Sequence, residues 1–190
     1  MSTPAELHIE EWQPDRAFAP TLERDVDMLG EVLHAVVHDG AGVSFIVPFS
    51  FDEARAFWVE KVLPGVRART RRLLLGRWGP RIVGTVQLDL AQQPNQRHRA
   101  EVVKLLVHPA ARRRGIAQAL MIALETVALS EQRTLLTLDT WTGRGAEELY
   151  RSLGYIAVGV IPRYARGSLT PDLEATTIMY KELGGERRSD

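Results

Sequence analysis

Cysteine is absent from all 190 residues of the chain. That excludes disulfides, thiolate metal sites and a cysteine nucleophile together, so any group transfer must use other side chains. Neither sign of charge is in excess: 24 acidic residues balance 24 basic ones. Without a global field to hold a phosphate backbone, nucleic acid is not an expected partner. Also missing is an apolar run of the roughly 20 residues that a bilayer span requires, so no membrane partner is expected either. Residues 1–12 are acidic and polar and lack the basic and apolar regions of a secretory signal, which makes the cytoplasm the expected location. The glycine patterns of dinucleotide folds and P-loops do not occur, nor does the serine elbow of hydrolases.

What remains is an ordinary globular composition, 45% hydrophobic and 25% charged. A chain of this length buries about 70% of its unfolded surface, enough for one core. We expect a single domain over residues 1–185 and a disordered charged tail over 186–190. Alternation from Leu7 to Trp12 predicts a strand, and Pro14 and Pro20 are expected to interrupt regular structure after it. Val26, Leu29, Leu33 and Val36 then predict a helix over Thr21–Val37. Ser50 with Glu53 three residues on forms a capping box for a second helix, which Pro64 is expected to kink or stop. Strands follow at Arg72–Trp78 and Ile82–Leu90 across a Gly79-Pro80 turn, then at Glu101–Val107. A helix over Gly115–Ser130, a strand over Thr134–Thr140, a helix over Ala146–Leu153 and strands over Tyr155–Ile161 and Thr176–Leu183 complete the pattern. The arginines at 67, 69, 71 and 72 read as a solvated helix end. His34 and His38 stand one helical turn apart, but with no acidic partner evident we assign no metal.

The most informative stretch is Arg112-Arg113-Arg114-Gly115-Ile116-Ala117, where a strand hands over to a helix. Backbone N–H groups and the positive helix end converge there on an anion site. Three arginines and a glycine also suit a plain solvated helix start. Cations at a helix N-terminus oppose its dipole by a few tenths of a kcal/mol each, however, and so favour a bound anion.

This stretch has the form Q/R-x-x-G-x-G/A. Ala146-Glu147-Glu148-Leu149-Tyr150-Arg151-Ser152-Leu153-Gly154-Tyr155 has the form A-x-x-x-Y-x-x-x-G-[FY]. Together they resemble the GNAT superfamily of acyl-CoA-dependent N-acetyltransferases. The blocks Arg99–Leu105, Leu138–Thr140 and Pro162–Tyr164 are similar to those of tabtoxin-resistance acetyltransferases. The resemblance implies an α/β (α+β) GNAT fold, a mixed twisted sheet of about seven strands flanked by helices and splayed between the fourth and fifth. It implies acetyl-CoA as cosubstrate, held by Arg112, Arg113, Arg114, Gly115, Ile116 and Ala117. The main chain of Leu105, Leu106 and Val107 would pair with the pantetheine arm. Where many relatives offer an asparagine after the fifth strand, this sequence has Thr142, Gly143 and Arg144, so that contact does not carry over.

An alkyl amine has a pKa of about 10.4, so freeing its lone pair near neutral pH costs on the order of 4 to 5 kcal/mol. A base must take the proton. The resemblance implies that role for Glu101 or Asp139, and leaves open which; taken alone, Glu101 also reads as an exposed strand carboxylate and Asp139 as a turn residue. It implies that Tyr150 protonates the departing thiolate. Phe45, Trp141 and Tyr164 are candidate acceptor-pocket residues. The expected acceptor is a small-molecule amine, an amino acid, an amino-acid analogue or an antibiotic or toxin amine. The alternatives are a protein N-terminus or lysine and, in another class, a non-catalytic acyl-CoA-binding module. A homodimer is the default assembly.

Overall fold

The computed structural model describes residues 6–16 and 18–184; the tail expected at 186–190 and the first five residues lie outside them. Seven strands form one mixed sheet in the order β1-β2-β3-β4-β5-β7-β6. The strands are β1 (Leu7–Glu11), β2 (Arg71–Trp78), β3 (Arg81–Leu90), β4 (Arg99–Val107), β5 (Leu135–Trp141), β6 (Ile156–Arg166) and β7 (Leu173–Glu182). Every pairing is antiparallel except β4 with β5. The sheet is α/β with helices on both faces, as the motifs imply.

Successive residues of a strand point to opposite faces, and β2 feeds two cores in this way. Leu74 joins a cluster with Val86 and Leu88 of β3 and with Ile116, Leu120, Met121 and Leu124. Those last four lie on α4 (Ile116–Ser130). Leu73 and Leu75 face the other side, against Leu29, Leu33 and Val36 of α1 (Ala19–His38) and against Trp58. Each of these side chains is at least 97% buried. Burying one such residue contributes about 1.5–3 kcal/mol, so the double use of β2 fixes helices to both faces.

Two prolines behave differently from the sequence expectation. Pro20 does not interrupt α1; it sits in the first turn, where a missing N–H breaks no hydrogen bond, and the helix begins at Ala19. After α2 (Phe51–Ala56), whose capping box joins Ser50 and Glu53 as expected, the chain runs through a π-helical turn at Phe57–Val62. Pro64 then lies in the first turn of α3 (Leu63–Arg67), so the wider turn absorbs the proline and the helix continues. β6 runs five residues beyond the expected Ile161, and β7 inserts between β5 and β6.

The first arginine cluster is a solvated helix end only at Arg67 and Arg69, which are exposed at and just past the end of α3. Arg67 ends α3 and pairs with Asp15 at 3.0 Å, but Arg71 and Arg72 open β2. Arg71 grips both carboxylate oxygens of Asp89 across the strands. Arg72 reaches Glu11 and Glu131, tying β1 to the end of α4. Strand register presents these cations to acids on neighbouring strands, which linear spacing does not reveal.

Gly84 of β3 lies under the first turns of α4. A methyl there would stand 3.0 Å from the Leu106 carbonyl oxygen, 3.1 Å from Ile116 and 3.2 Å from Leu120. Gly84→Ala should therefore destabilise the protein by about 1–3 kcal/mol through overpacking, read as a lower urea midpoint with unchanged slope.

Candidate functional site

β4 and β5 pair only through Arg99–Glu101 and Leu135–Thr137. Beyond those three residues the strands part, and a cavity of about 1000 Å³ opens between them. Arg99 bridges the last paired stretch, its guanidinium 3.4 Å from the Thr137 hydroxyl. A bulge in β4 accompanies the opening: Val103 faces Gln87 and Leu106 faces Thr85, so β4 carries one residue more than β3. Lys104 sits in it with φ of 52°, and its carbonyl accepts from the Thr85 hydroxyl at 3.2 Å. Leu105, Leu106 and Val107 all line the cavity, with no strand paired to their β5 side among the described residues. Such an edge can accept an extended ligand as a further strand.

The turn after β4 forms one end of the cavity. Gly115 caps α4 with φ of 77°, and no side chain caps the helix. The first-turn N–H groups therefore lack intrahelical partners and point outward. A Cβ at Gly115 would meet nothing within 4 Å, so glycine is required by the left-handed backbone and its bare side faces open space. Arg112 holds the turn by pairing with Asp39 and reaching the Val107 carbonyl. Arg113, Gly115, Ile116 and Ala117 line the cavity. Arg114 does not; its guanidinium lies 4.6 Å from the Trp78 ring centroid, so it packs as a cation on an aromatic face away from the cradle.

Glu101 and Asp139 stand on the two parted strands, both with surface exposed to the cavity. Glu101 lies opposite Thr137, two residues before Asp139, so strand alternation puts both carboxylates on one face of the sheet. Partial desolvation in the cleft walls raises the pKa of Glu101, and the nearby charges of Asp139 and Asp89 raise it further against the opposing effect of Arg99. Asp139 accepts a 3.0 Å hydrogen bond from the Thr176 hydroxyl of β7. Tyr150 comes from α5 (Gly145–Ser152), its ring 5.7 Å from that of Tyr155. Burial first, and then Asp139, push its pKa well above that of an ordinary phenol, so it stays a proton donor at neutral pH. These three side chains, Trp141 and Tyr164 all reach the same cavity.

Phe45 does not. It packs against Phe49 and Phe57 at centroid distances of 4.6 and 5.2 Å and lines a separate depression of about 470 Å³. The loop carrying it is joined to the β6–β7 connection by a 3.0 Å bond from Val47 N–H to the Ser168 carbonyl. Ser44, Lys104, Arg166 and Glu174 also line the main cavity and were not singled out from sequence. For Lys104 a signal existed: it is the one charge in the apolar run Val102–Val107.

The acetyltransferase (GNAT) family model matches residues 37–155, which span the bulged strand, the cradle and Tyr150. The chain belongs to that family. Solved acetyltransferases share its fold across nearly their whole length. A GNAT acetyltransferase from Streptococcus pneumoniae is 19% identical with a TM-score of 0.71, covering 94% of this chain and 100% of its own. The ribosomal-protein-alanine N-acetyltransferase from Brucella melitensis is also 19% identical, with a TM-score of 0.71 and coverage of 93% and 99%. An acetyltransferase from Salmonella typhimurium, solved with its cofactor acetyl-CoA, is 16% identical with a TM-score of 0.69, covering 97% and 98%. This GNAT acetyltransferase has an extended cleft with the uncapped first turn of α4 at one end and two carboxylates with a phenol along its walls.

Gly115→Ala tests the cradle. It forces a Cβ into a left-handed backbone at about 1–2 kcal/mol and tilts the amides, so acetyl-CoA affinity should fall by roughly tenfold in a calorimetric titration. Arg114→Ala, off the cradle, should leave that affinity within about twofold.

Proposed function

We propose that this GNAT acetyltransferase moves the acetyl group of acetyl-CoA onto the nitrogen of a small-molecule amine by direct attack on the thioester. The observation that carries the reading is the parting of β4 from β5, with Glu101 and Asp139 on its walls beside the unpaired amides around Gly115. Those amides suit the diphosphate of coenzyme A, and the free edge of Leu105–Val107 suits its pantetheine arm. Both pieces of cosubstrate chemistry therefore have matching donors in this chain. The segments 41–44 and 164–166 both line the cavity and are joined just beyond it by the Val47–Ser168 hydrogen bond, an arrangement that suits a compact amine better than a protein chain. The similarity of its sequence blocks to tabtoxin-resistance acetyltransferases points the same way.

In the reaction, Glu101 or Asp139 takes a proton from the acceptor ammonium. The nitrogen lone pair then forms a bond to the thioester carbonyl carbon, the carbon–sulfur bond breaks, the thiolate leaves with a proton from Tyr150, and the second proton shed by the new amide nitrogen restores the phenol through solvent. A carboxylate of ordinary pKa is a weak base toward an amine. Desolvation of Glu101 strengthens it, and proximity supplies the rest of the rate. No covalent enzyme intermediate is needed, in keeping with a chain that has no cysteine.

Acceptor-dependent release of CoA thiol across an amine panel tests the reading, since a pure acyl-CoA binder releases none. Glu101→Gln or Asp139→Asn should lower turnover near neutral pH by a factor on the order of 100, and an unchanged rate in the double variant would remove both from the mechanism. Because the Glu101 pKa is raised, its basic form fills only above the usual glutamate range. The wild-type rate should therefore rise with pH through that raised value, and Glu101→Gln should lose this acid limb. Tyr150→Phe should slow transfer by about tenfold or more while leaving acetyl-CoA affinity nearly intact; loss of binding or of folding would mark the tyrosine as a packing residue.

A further inference from the structure

Lys104 is a charge without a counter-ion in a cavity built to bind charge. It projects from the bulge three residues after Glu101, and its ammonium donates to the Ser44 hydroxyl at 3.0 Å. The Phe45 and Phe57 rings lie 5.7 and 5.9 Å away and form an apolar collar around it. Among the described residues no carboxylate approaches within ion-pair distance. Asp89 is taken by Arg71, and Asp139 is held by Thr176. Asp139 and Asp89 favour the Lys104 charge only at longer range, Arg71 opposes it, and burial lowers its pKa more than anything raises it. The ammonium is thus desolvated with only partial compensation by the protein itself.

Glu101 and Asp139, on the same cavity, have the complementary deficiency: neither has a cation within 4.0 Å among the described residues. A simple cationic amine entering this cavity would satisfy the acids and be repelled by Lys104. A molecule carrying an amine and, a few bonds away, an anion would satisfy both.

We infer that Lys104 is the specificity-determining residue of the acceptor site: it pairs with a carboxylate-like group of the acceptor while the acceptor's ammonium lies at Glu101 and Asp139, so that the substrate is a small zwitterion rather than a plain amine. The inference rests on the acetyltransferase reading above and adds the acceptor's second charge. Ser44, which lines both the cavity and the neighbouring depression, and the aromatic collar hold the lysine ammonium at the border of the two before the acceptor arrives, which limits the entropy lost on binding.

The test compares matched acceptors that differ only in the carboxylate: L-lysine with cadaverine, L-phenylalanine with phenethylamine, and L-methionine with 3-methylthiopropylamine. Wild-type protein saturated with acetyl-CoA is assayed for CoA release. The carboxylate-bearing member of at least one pair should be favoured in kcat/KM by roughly 10- to 100-fold, the range of one charge-assisted contact. Lys104→Gln should bring that ratio within about threefold, chiefly through KM, and Lys104→Arg should restore part of it. A lysine that only packs against Phe45 and Phe57 would leave the ratio unmoved. Equal use of both members by the wild type overturns the inference, as does turnover of neither set by protein that binds acetyl-CoA, or a ratio unchanged in Lys104→Gln. The wild-type ratio stands even if a variant misfolds. Failure of the wild type to bind acetyl-CoA would instead remove the parent reading.

Discussion

The short pairing of β4 with β5 is the constraint on which the site depends. Three residues on each strand hold the two halves of the sheet together, and then the strands diverge. A backbone edge in a protein interior is normally satisfied by another strand. Here β4 keeps its β3 partner and leaves its other edge facing a cavity, so a ligand can take the place of the missing strand. Continuing the ladder to Val107 and Trp141 would close the cavity and remove the site.

Three local features keep the strands apart. The bulge at Lys104 twists β4 without breaking its register with β3 for more than one position. Gly84 of β3 lets α4 approach the sheet closely, placing the first turn of that helix against the end of β4. Asp139 and Thr140 of β5 are tied instead to β7 through Thr176, whose hydroxyl meets the Asp139 carboxylate and the Thr140 carbonyl at 3.0 and 2.9 Å. β5 therefore has a full partner on one side and none on the other beyond Thr137, which leaves its acidic side chain beside the cleft.

Electrostatically the cleft is divided. Its cradle end presents helix amides with Arg112 and Arg113, and its middle presents Glu101 and Asp139. Under the proposed function, a phosphate-rich cosubstrate would be drawn to one end and an ammonium to the middle, so the two reactants would be sorted along the cleft before they react. Lys104 adds a third region, on the side of Phe45 and Phe57. Because the formal charge of the chain is zero, any such sorting is local to the cleft rather than a whole-molecule field.

The amino-acid order by itself determined the elements and the cradle. Those features are local: period-two and period-3.6 patterns, the Ser50–Glu53 capping box, and a glycine between arginines at a strand-to-helix step are set by residues within a few positions of one another. It also carried the motif that holds Tyr150 and the blocks Arg99–Leu105 and Leu138–Thr140 that hold Glu101 and Asp139, and the structure lines one cavity with all three. The tertiary structure alone decided that Arg114 leaves the cradle for Trp78, that Phe45 turns into a neighbouring depression, that Arg71 and Arg72 are ion-paired strand residues, and that β7 inserts between β5 and β6. For the arginines the deciding partner is far away in the chain, as Trp78 is for Arg114 and Glu131 for Arg72. The direction in which a long side chain finally points depends on which distant surface can desolvate or pair with it, and that is established only when the sheet has assembled.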